Sequence, residues 1–354
     1  MKAKYQEIAD EIRQKIQSQE YLVDAAIPTE SQLQKIYSVS RHTVRAAVDV
    51  LVNEGVLRKE KGSGTYVNAL TIKKTNHKTI GVITTYMSDY IFPSIIRGIE
   101  QELSKKGYSL LLASTNNDYL REKKSLEKMI DFGVDGLIVE PTRSNLYNPN
   151  LAIYVNLKEQ NIPMVMINAV YEELDIPYIC FDDQEVGYQA TDYLIKKNHQ
   201  NILLITKIDD LQGKYRMKGF MKACEKNNIW ISSSNILTYT TETSNLIIDQ
   251  ALAQLEKNPE ISAIFCYNDQ IANVLCQKLF EKKYRVPDDY SIISVDNSNL
   301  SQMGGMSITS LAHPKEELGI GAANWIINAI EKNIIGENIN YQPQLIERSS
   351  VKEI

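Results

Sequence analysis

Residues 27–67 read IPTESQLQKIYSVSRHTVRAAVDVLVNEGVLRKEKGSGTYV, and their punctuation sets the architecture of the amino-terminal part of the chain. Pro28 precedes Thr29-Glu30-Ser31-Gln32. That is a capping-box spacing, in which Thr29 accepts from an early backbone N–H and Gln32 reaches back to the cap. Leu33 and Ile36 are expected to supply the inner face of the short helix that follows. After Tyr37-Ser38-Val39, Ser40 caps another helix with apolar positions Val44, Val48 and Leu51, and Gly55 closes it. Val56–Val67 reads as two short strands around a Gly-rich turn. Upstream, Tyr5, Ile8, Ile12 and Ile16 recur at helical spacing and predict a leading amphipathic helix. Two short helices joined by a tight turn and followed by a wing form a winged helix-turn-helix.

The polar face of the helix after Ser40 carries Arg41, His42, Arg45 and Asp49. Arg41 and Arg45 are four apart and project together. The first residues of a recognition helix meet base edges in the major groove, and the planar fork of arginine spans guanine O6 and N7. Lys61 and the backbone amides of Gly62 and Gly64 are placed to approach a phosphate or the minor groove. A solvated helix face and plain hairpin glycines are the bland readings of the same residues.

Outward from this segment, the chain has 354 residues, enough for two or three globular units. Its 43% hydrophobic and 23% charged content excludes disorder and fibrous repeats. Uncharged apolar runs such as 162–169 and 261–267 are too short to span a bilayer. The start, MKAKYQEIADEIRQ, lacks the apolar core of a signal peptide. Cys180, Cys224, Cys266 and Cys276 form no CxxC pair, so neither a disulfide framework nor a zinc ribbon is expected, and a reducing cytoplasm is the natural compartment. The net charge of −5 hides an asymmetry. Residues 1–79 hold 13 Lys+Arg against 9 Asp+Glu, and the remainder holds 26 against 35. A basic head on an acidic body suits a tethered DNA reader.

Residues 69–78 lack periodicity, are polar and basic, and read as a linker; His77 there reads as a solvated loop residue. From Thr79 the pattern switches. Apolar runs at 80–84, 109–113, 136–139, 163–167, 202–205, 263–266 and 292–295 alternate with amphipathic stretches such as Ile95-Ile99-Leu103 and Leu126-Met129-Ile130. Such strands predict parallel sheets covered on both faces. Their number and the chain length fit two α/β lobes with a cleft. Ligands sit beyond the carboxyl ends of such strands. Those ends carry Tyr86, Asp89, Tyr90 and Phe92, then Glu140, Asn168, Asp182 and Asp183, Asn268 and Asp269, and Asp296. Carboxylates and amides engage neighbouring hydroxyls bidentately, and aromatic rings cover C–H faces, so the set suits a polyhydroxylated ligand. Tyrosine supplies 20 of the 28 aromatics, which favours rings with polar tips. A cap or turn role is the bland reading of each acid, and the one expected for Asp183.

Two resemblances sharpen this. The strings Ile27–Ser31, Val39–Arg45 and Gly62–Val67, with their spacing, make residues 1–68 similar to the winged helix-turn-helix of the GntR family of bacterial repressors. The resemblance implies base and phosphate contacts at Arg41, His42, Thr43 and Arg45, with the wing tip at Lys61 and Gly62. Many relatives carry Arg where this chain has Ser31, which implies an altered operator contact. The strings Arg216–Phe220, Cys266–Ala272, Val286–Asp296 and Thr309–Pro314 make residues 79–354 resemble the LacI-type effector domain, a two-lobed α/β fold of the type I periplasmic-binding-protein kind. That resemblance implies effector contacts from Arg216, Asn268, Asp296 and His313. The family often has Gly-aromatic-Asp-Asp where this chain has Ser294-Val295-Asp296-Asn297, and Gln where it has His313. The union of the two parts, with the strings 84–100 and 136–142, resembles the L-arabinose-responsive repressors of arabinose-utilisation genes. It implies a homodimer on double-stranded operator DNA that L-arabinose releases, with no cofactor, metal or membrane.

Two rivals share the cleft. Paired carboxylates could serve glycoside hydrolysis, although no G-x-S-x-G, HExxH or P-loop string occurs. A phosphorylated sugar or nucleoside effector would call for several cations or an amide nest, and the strand ends offer mostly acids and amides. Another pentose or polyol as effector stays open.

Overall fold

A computed structural model describes residues 4–17, 20–22, 24–53, 56–60, 63–67, 77–88, 90–303, 305 and 307–354. The expectations for Gly55, Lys61, Gly62, Asp89 and linker residues 69–76 lie outside the described residues. The chain divides near His77 into two compact units.

The first unit contains α1 (Lys4–Gln17), α2 (Glu30–Tyr37), α3 (Arg41–Asn53), β1 (Leu57–Glu60) and β2 (Gly64–Val67). Ile8, Ile12, Ile16, Leu33, Val44, Val48 and Leu51 close one core with Leu57 and Val67 of the wing. The capping box at Thr29 forms with both of its bonds. Ser40 Oγ accepts from the Thr43 N–H at 3.2 Å and starts α3. β1 and β2 pair antiparallel from Leu57↔Val67 to Glu60↔Gly64. Ile36 departs from expectation: it is 54% exposed. The inner face of this helix is Leu33 and, four positions on, Tyr37, which packs against the same core, so Ile36 falls off the face.

The second unit begins with β3 (Thr79–Thr84), α4 (Phe92–Lys105), β4 (Ser109–Ser114), α5 (Tyr119–Phe132), β5 (Gly136–Val139), α6 (Leu151–Glu159), β6 (Met164–Ile167) and β7 (Tyr178–Phe181). It continues with α7 (Asp183–Lys196), β8 (Ile202–Lys207), α8 (Leu211–Lys226), β9 (Ile236–Tyr239), α9 (Ile247–Lys257) and β10 (Ala263–Cys266). It ends with α10 (Asp269–Glu281), β11 (Ser291–Asp296), β12 (Thr309–Ala312), α11 (Lys315–Lys332), β13 (Ile339–Tyr341) and β14 (Gln344–Ile346).

Two six-stranded sheets result, ordered β4-β3-β5-β6-β7-β13 and β9-β8-β10-β11-β12-β14. The first is parallel throughout; in the second only β14 runs antiparallel. Each sheet reverses its strand order beside its first strand, at β3 and at β8. A doubly wound sheet opens a crevice at such a reversal. The chain passes between the lobes three times: from β7 into α7, from β12 into α11, and from β13 to β14. The seven apolar runs read from the sequence fall on β3–β6, β8, β10 and β11; β7 was read only through the acids at its carboxyl end, and β9 and β12–β14 were not read. All four cysteines are free and buried. No helix among the described residues is long and apolar enough to cross a membrane.

Candidate ligand cleft and nucleic-acid interface

Both reversal points face one cavity of about 300 Å³ between the lobes. The residues after β3 and β5, Thr85 and Glu140, line it from one lobe; Lys207 at the end of β8 and Asn268 after β10 line it from the other. Of the residues named from the sequence, eight effector candidates (Tyr90, Phe92, Glu140, Asn168, Arg216, Asn268, Asp296 and His313) stand in its wall together with Tyr86 and Asp183, whereas Asp182 and Asp269 do not line it.

Arg216 is the hub. Its Nε donates to Asp183 Oδ1 at 2.8 Å, its Nη1 donates to the Tyr267 carbonyl, and its Nη2 lies 3.8 Å from Asp296 Oδ1. Its guanidinium stacks over the Tyr267 ring at 4.8 Å. Two glycines place it. A Cβ on Gly219 would come within 2.1 Å of the Gln184 carbonyl oxygen, and one on Gly187 within 2.0 Å of the Arg216 carbonyl oxygen. The Arg216-x-x-Gly219 string therefore works as a unit, the glycine letting α8 settle on α7 while the arginine turns into the cavity.

Asp183 corrects the sequence reading. Asp182 is the cap of α7, accepting from the Glu185 N–H at 3.0 Å, whereas Asp183 is buried against Arg216 in the cavity wall. Burial pushes the Asp183 carboxyl up to about 6, against the pull of Arg216. Two consecutive acids gave no sequence signal to tell cap from wall.

In the opposite wall, Glu140 accepts from the Thr85 N–H and hydroxyl at 2.7 and 2.6 Å and from Asn168 Nδ2 at 2.8 Å. Burial raises its carboxyl above the usual range, and those donors oppose the rise. Tyr90 reaches across the cleft: its hydroxyl donates to Asp296 and accepts from the Asp269 N–H at 3.1 Å. Phe92 starts α4 and meets Tyr86 edge-on at 5.6 Å. Asn268 spends its Oδ1 capping α10, accepting from the Ile271 N–H at 3.0 Å. His313 packs edge-on against Phe181 at 5.0 Å, and burial holds its imidazole well below the usual histidine range. Tyr90, Asn168 and Asp296 have φ of +62°, +62° and +99°, so three of the eight occupy left-handed backbone. Asn168 Oδ1, Gln212 Oε1 and His313 Nδ1 are buried without a hydrogen-bond partner, acceptors that a hydroxylated ligand can satisfy.

The sequence did not single out Lys207, Asp210, Tyr239 or Tyr267, which also line the cavity. Lys207 Nζ pairs with Asp210 at 2.6 Å. The charged residues of the wall are thus four carboxyls (Glu140, Asp183, Asp210, Asp296) against two cations, Lys207 and Arg216.

Further contacts bridge the lobes, the first of them between two residues that also line the cavity. Asn117 Nδ2 donates to Thr241 Oγ1 at 2.8 Å, and Asn145 Nδ2 to the Ile208 carbonyl at 2.8 Å. Arg143 pairs with Glu242, and Glu172 holds Lys214 and Tyr215 at 2.9 and 2.6 Å.

In the first unit, Arg41 and Arg45 stand side by side on α3, 67% and 54% exposed, and both bond Glu30 of α2 at 3.0 and 3.2 Å. The two guanidiniums hold the Glu30 carboxyl below its usual range. His42 is exposed beside them, and Thr43 bonds Ser40 Oγ. Exposed ion pairs of this kind are weak, so the arginines are readily released to a stronger anion.

Residues 77–347 match the family described as periplasmic binding proteins and sugar binding domain of the LacI family, and residues 4–67 match the gntR family of bacterial regulatory proteins. The chain is 42% identical to the arabinose metabolism transcriptional repressor of Halalkalibacterium halodurans, over 100% of this chain and 98% of that one. It is 42% identical to the protein of the same description from Geobacillus stearothermophilus, over 99% and 98%. A LacI family transcriptional regulator from Enterococcus faecium, solved with bound ribose, is 26% identical and superposes with a TM-score of 0.67, covering 78% of this chain and 99% of that one.

Proposed function

Because the chain belongs to the family of arabinose metabolism transcriptional repressors, a gntR-type head joined to a LacI-type sugar-binding body, we propose that it is a homodimeric repressor released from operator DNA by L-arabinose. Its relatives are regulators, and it is a regulator rather than a glycosidase.

The observation that carries the sugar reading is the cavity's chemistry. At about 300 Å³ it is a small pocket by the scale of ligand sites. Four carboxyls against two paired cations repel a phosphorylated ligand and suit a neutral one dense in hydroxyls. Glu140, Asn168, Asn268, Asp296 and Arg216 bond those hydroxyls in this reading, His313 offers its open Nδ1, and Tyr90 and Phe92 cover a C–H face. In the head, Arg41, His42, Thr43 and Arg45 read the major groove while Lys61 and Gly62 at the wing tip meet the backbone. Two heads in a dimer grip half-sites spaced by about a helical turn or a multiple of it. The protein works in the cytoplasm, where sugar and operator favour different arrangements and so weaken each other equally.

A gel-shift titration on the promoter of the neighbouring genes, with L-arabinose, other pentoses and polyols, tests this. Release by L-arabinose at lower concentration than by any other sugar supports it. Release by a different pentose moves the effector, and constant operator affinity throughout removes the mechanism.

A further inference from the structure

A lysine at the first residue of a long helix opposes the helix dipole. Lys315 occupies that place in the 18-residue α11, at the second crossing between the lobes. Its Nζ donates to three carbonyls: Asp296 at 2.5 Å, Asn297 at 3.2 Å and His313 at 3.3 Å. Asp296 ends β11 and Asn297 follows it, both in left-handed backbone with φ of +99° and +45°. The parallel partner of Asp296 is Ala312, the residue before His313. One ammonium therefore ties the strained end of β11 to the crossing that carries His313.

We infer that Lys315 is a positioning residue for the sugar: it clamps the backbone of Asp296, Asn297 and His313 so that both cavity side chains are presented in one fixed arrangement. The left-handed turn at Asp296 directs three carbonyls toward one another, and a neutral group there would leave them in mutual repulsion. Lys315 itself is absent from the cavity wall, so it acts through its neighbours. Burial holds its ammonium below the usual lysine range, but the nearby Asp296 and Asp269 carboxyls oppose that fall. This inference rests on the reading of the cleft as a sugar site.

The test is calorimetric titration of the full-length protein with L-arabinose, alongside operator binding without sugar. Lys315→Met, which keeps the aliphatic stem, is expected to bind sugar about tenfold more weakly with operator affinity unchanged, and Lys315→Arg to recover most of the loss. In an Asp296→Asn background Lys315→Met is expected to add little, because the two act as one unit. If Lys315→Met unfolds at the assay temperature, Lys315→Gln is read in the same way. Sugar affinity in Lys315→Met equal to wild type, or losses that multiply independently with Asp296→Asn, overturns the inference. Wild-type protein that takes up no pentose at all overturns the cleft reading and this inference with it.

Discussion

Arg216 shows what a single side chain can hold together in this molecule. It lies 5% exposed between Asp183 and Asp296, and removing one partner from such a buried pair costs about 3–5 kcal/mol. Arg216→Ala is expected to lower the unfolding free energy, read from denaturant titration, by that much and to abolish release by sugar, while the folded fraction still shifts operator DNA. Release at the normal sugar concentration would show that the effector sits elsewhere. Arg41→Ala belongs to the other unit. It is expected to cost about 1–3 kcal/mol on operator and little on scrambled DNA, read as the ratio of the two dissociation constants.

Buried histidines set a pH dependence at the same scale. His199 bonds Ser262 Oγ at 2.8 Å and the Lys352 carbonyl at 3.1 Å. Burial holds both His199 and His313 below the ordinary histidine value of 6.5. Below that value the unfolded chain binds protons that the folded chain refuses, so stability is full above it and falls as pH drops through it. Asp183, raised to about 6, has the opposite sign, its contribution greatest at low pH and lost as pH rises toward about 6, and burial shifts Glu140 and Asp269 in the same direction. The histidine share is isolated by substitution: between about pH 7 and pH 5.5, His199→Gln is expected to lose less of its thermal midpoint, or gain more, than the wild type does. Identical pH slopes in His199→Gln and wild type would contradict this.

At the scale of elements, helix contacts set the geometry of the cleft. α7 lies on α8 through Gly187 and Gly219, and α4 on α11 through Gly98 and Gly319, whose Cβ atoms would meet carbonyl oxygens at 2.4 and 2.2 Å. Gly219→Ala must push α8 off α7 and carry Arg216 with it. It is expected to cost about 1–3 kcal/mol of stability and to weaken sugar binding, measured by melting and calorimetry on the same preparation. Unchanged sugar affinity would mean that α8 can slide without moving its arginine. Most of these elements were legible. The capping box at Thr29, the stripe Ile8-Ile12-Ile16 and the strand β5 each follow from local residue order. Ile36 was misread because the core takes the i, i+4 pair Leu33 and Tyr37 of this short helix, and spacing alone allows i, i+3 equally well.

For the whole molecule, the two lobes meet through groups far apart in sequence: Asn117 with Thr241, Arg143 with Glu242, Glu172 with Lys214 and Tyr215, and Tyr90 with Asp269 and Asp296. These contacts are mostly polar and give the lobes little reason to stay together without a ligand. Linkage then requires reciprocity. Saturating sugar should weaken operator binding by the same factor by which operator weakens sugar binding, about 1.4 kcal/mol for each tenfold. Calorimetry of the sugar with and without operator duplex measures that factor, and equal sugar affinity in the two titrations would remove the coupling.

Residue order by itself determined the winged head and the two α/β lobes, because caps and periodicity are local; strand ends offered Tyr90, Phe92, Glu140, Asn168, Asn268 and Asp296 for the cavity, whereas Arg216 and His313 came only from the family resemblance. Tertiary structure alone decided that Asp183 is a wall residue while Asp182 is the cap, that Lys207 and Asp210 pair inside the cavity, and that Lys315 clamps the end of β11. Those roles depend on which distant chain segment lies opposite, and a charge in a low-dielectric cleft takes its function from its partners rather than from its neighbours in sequence.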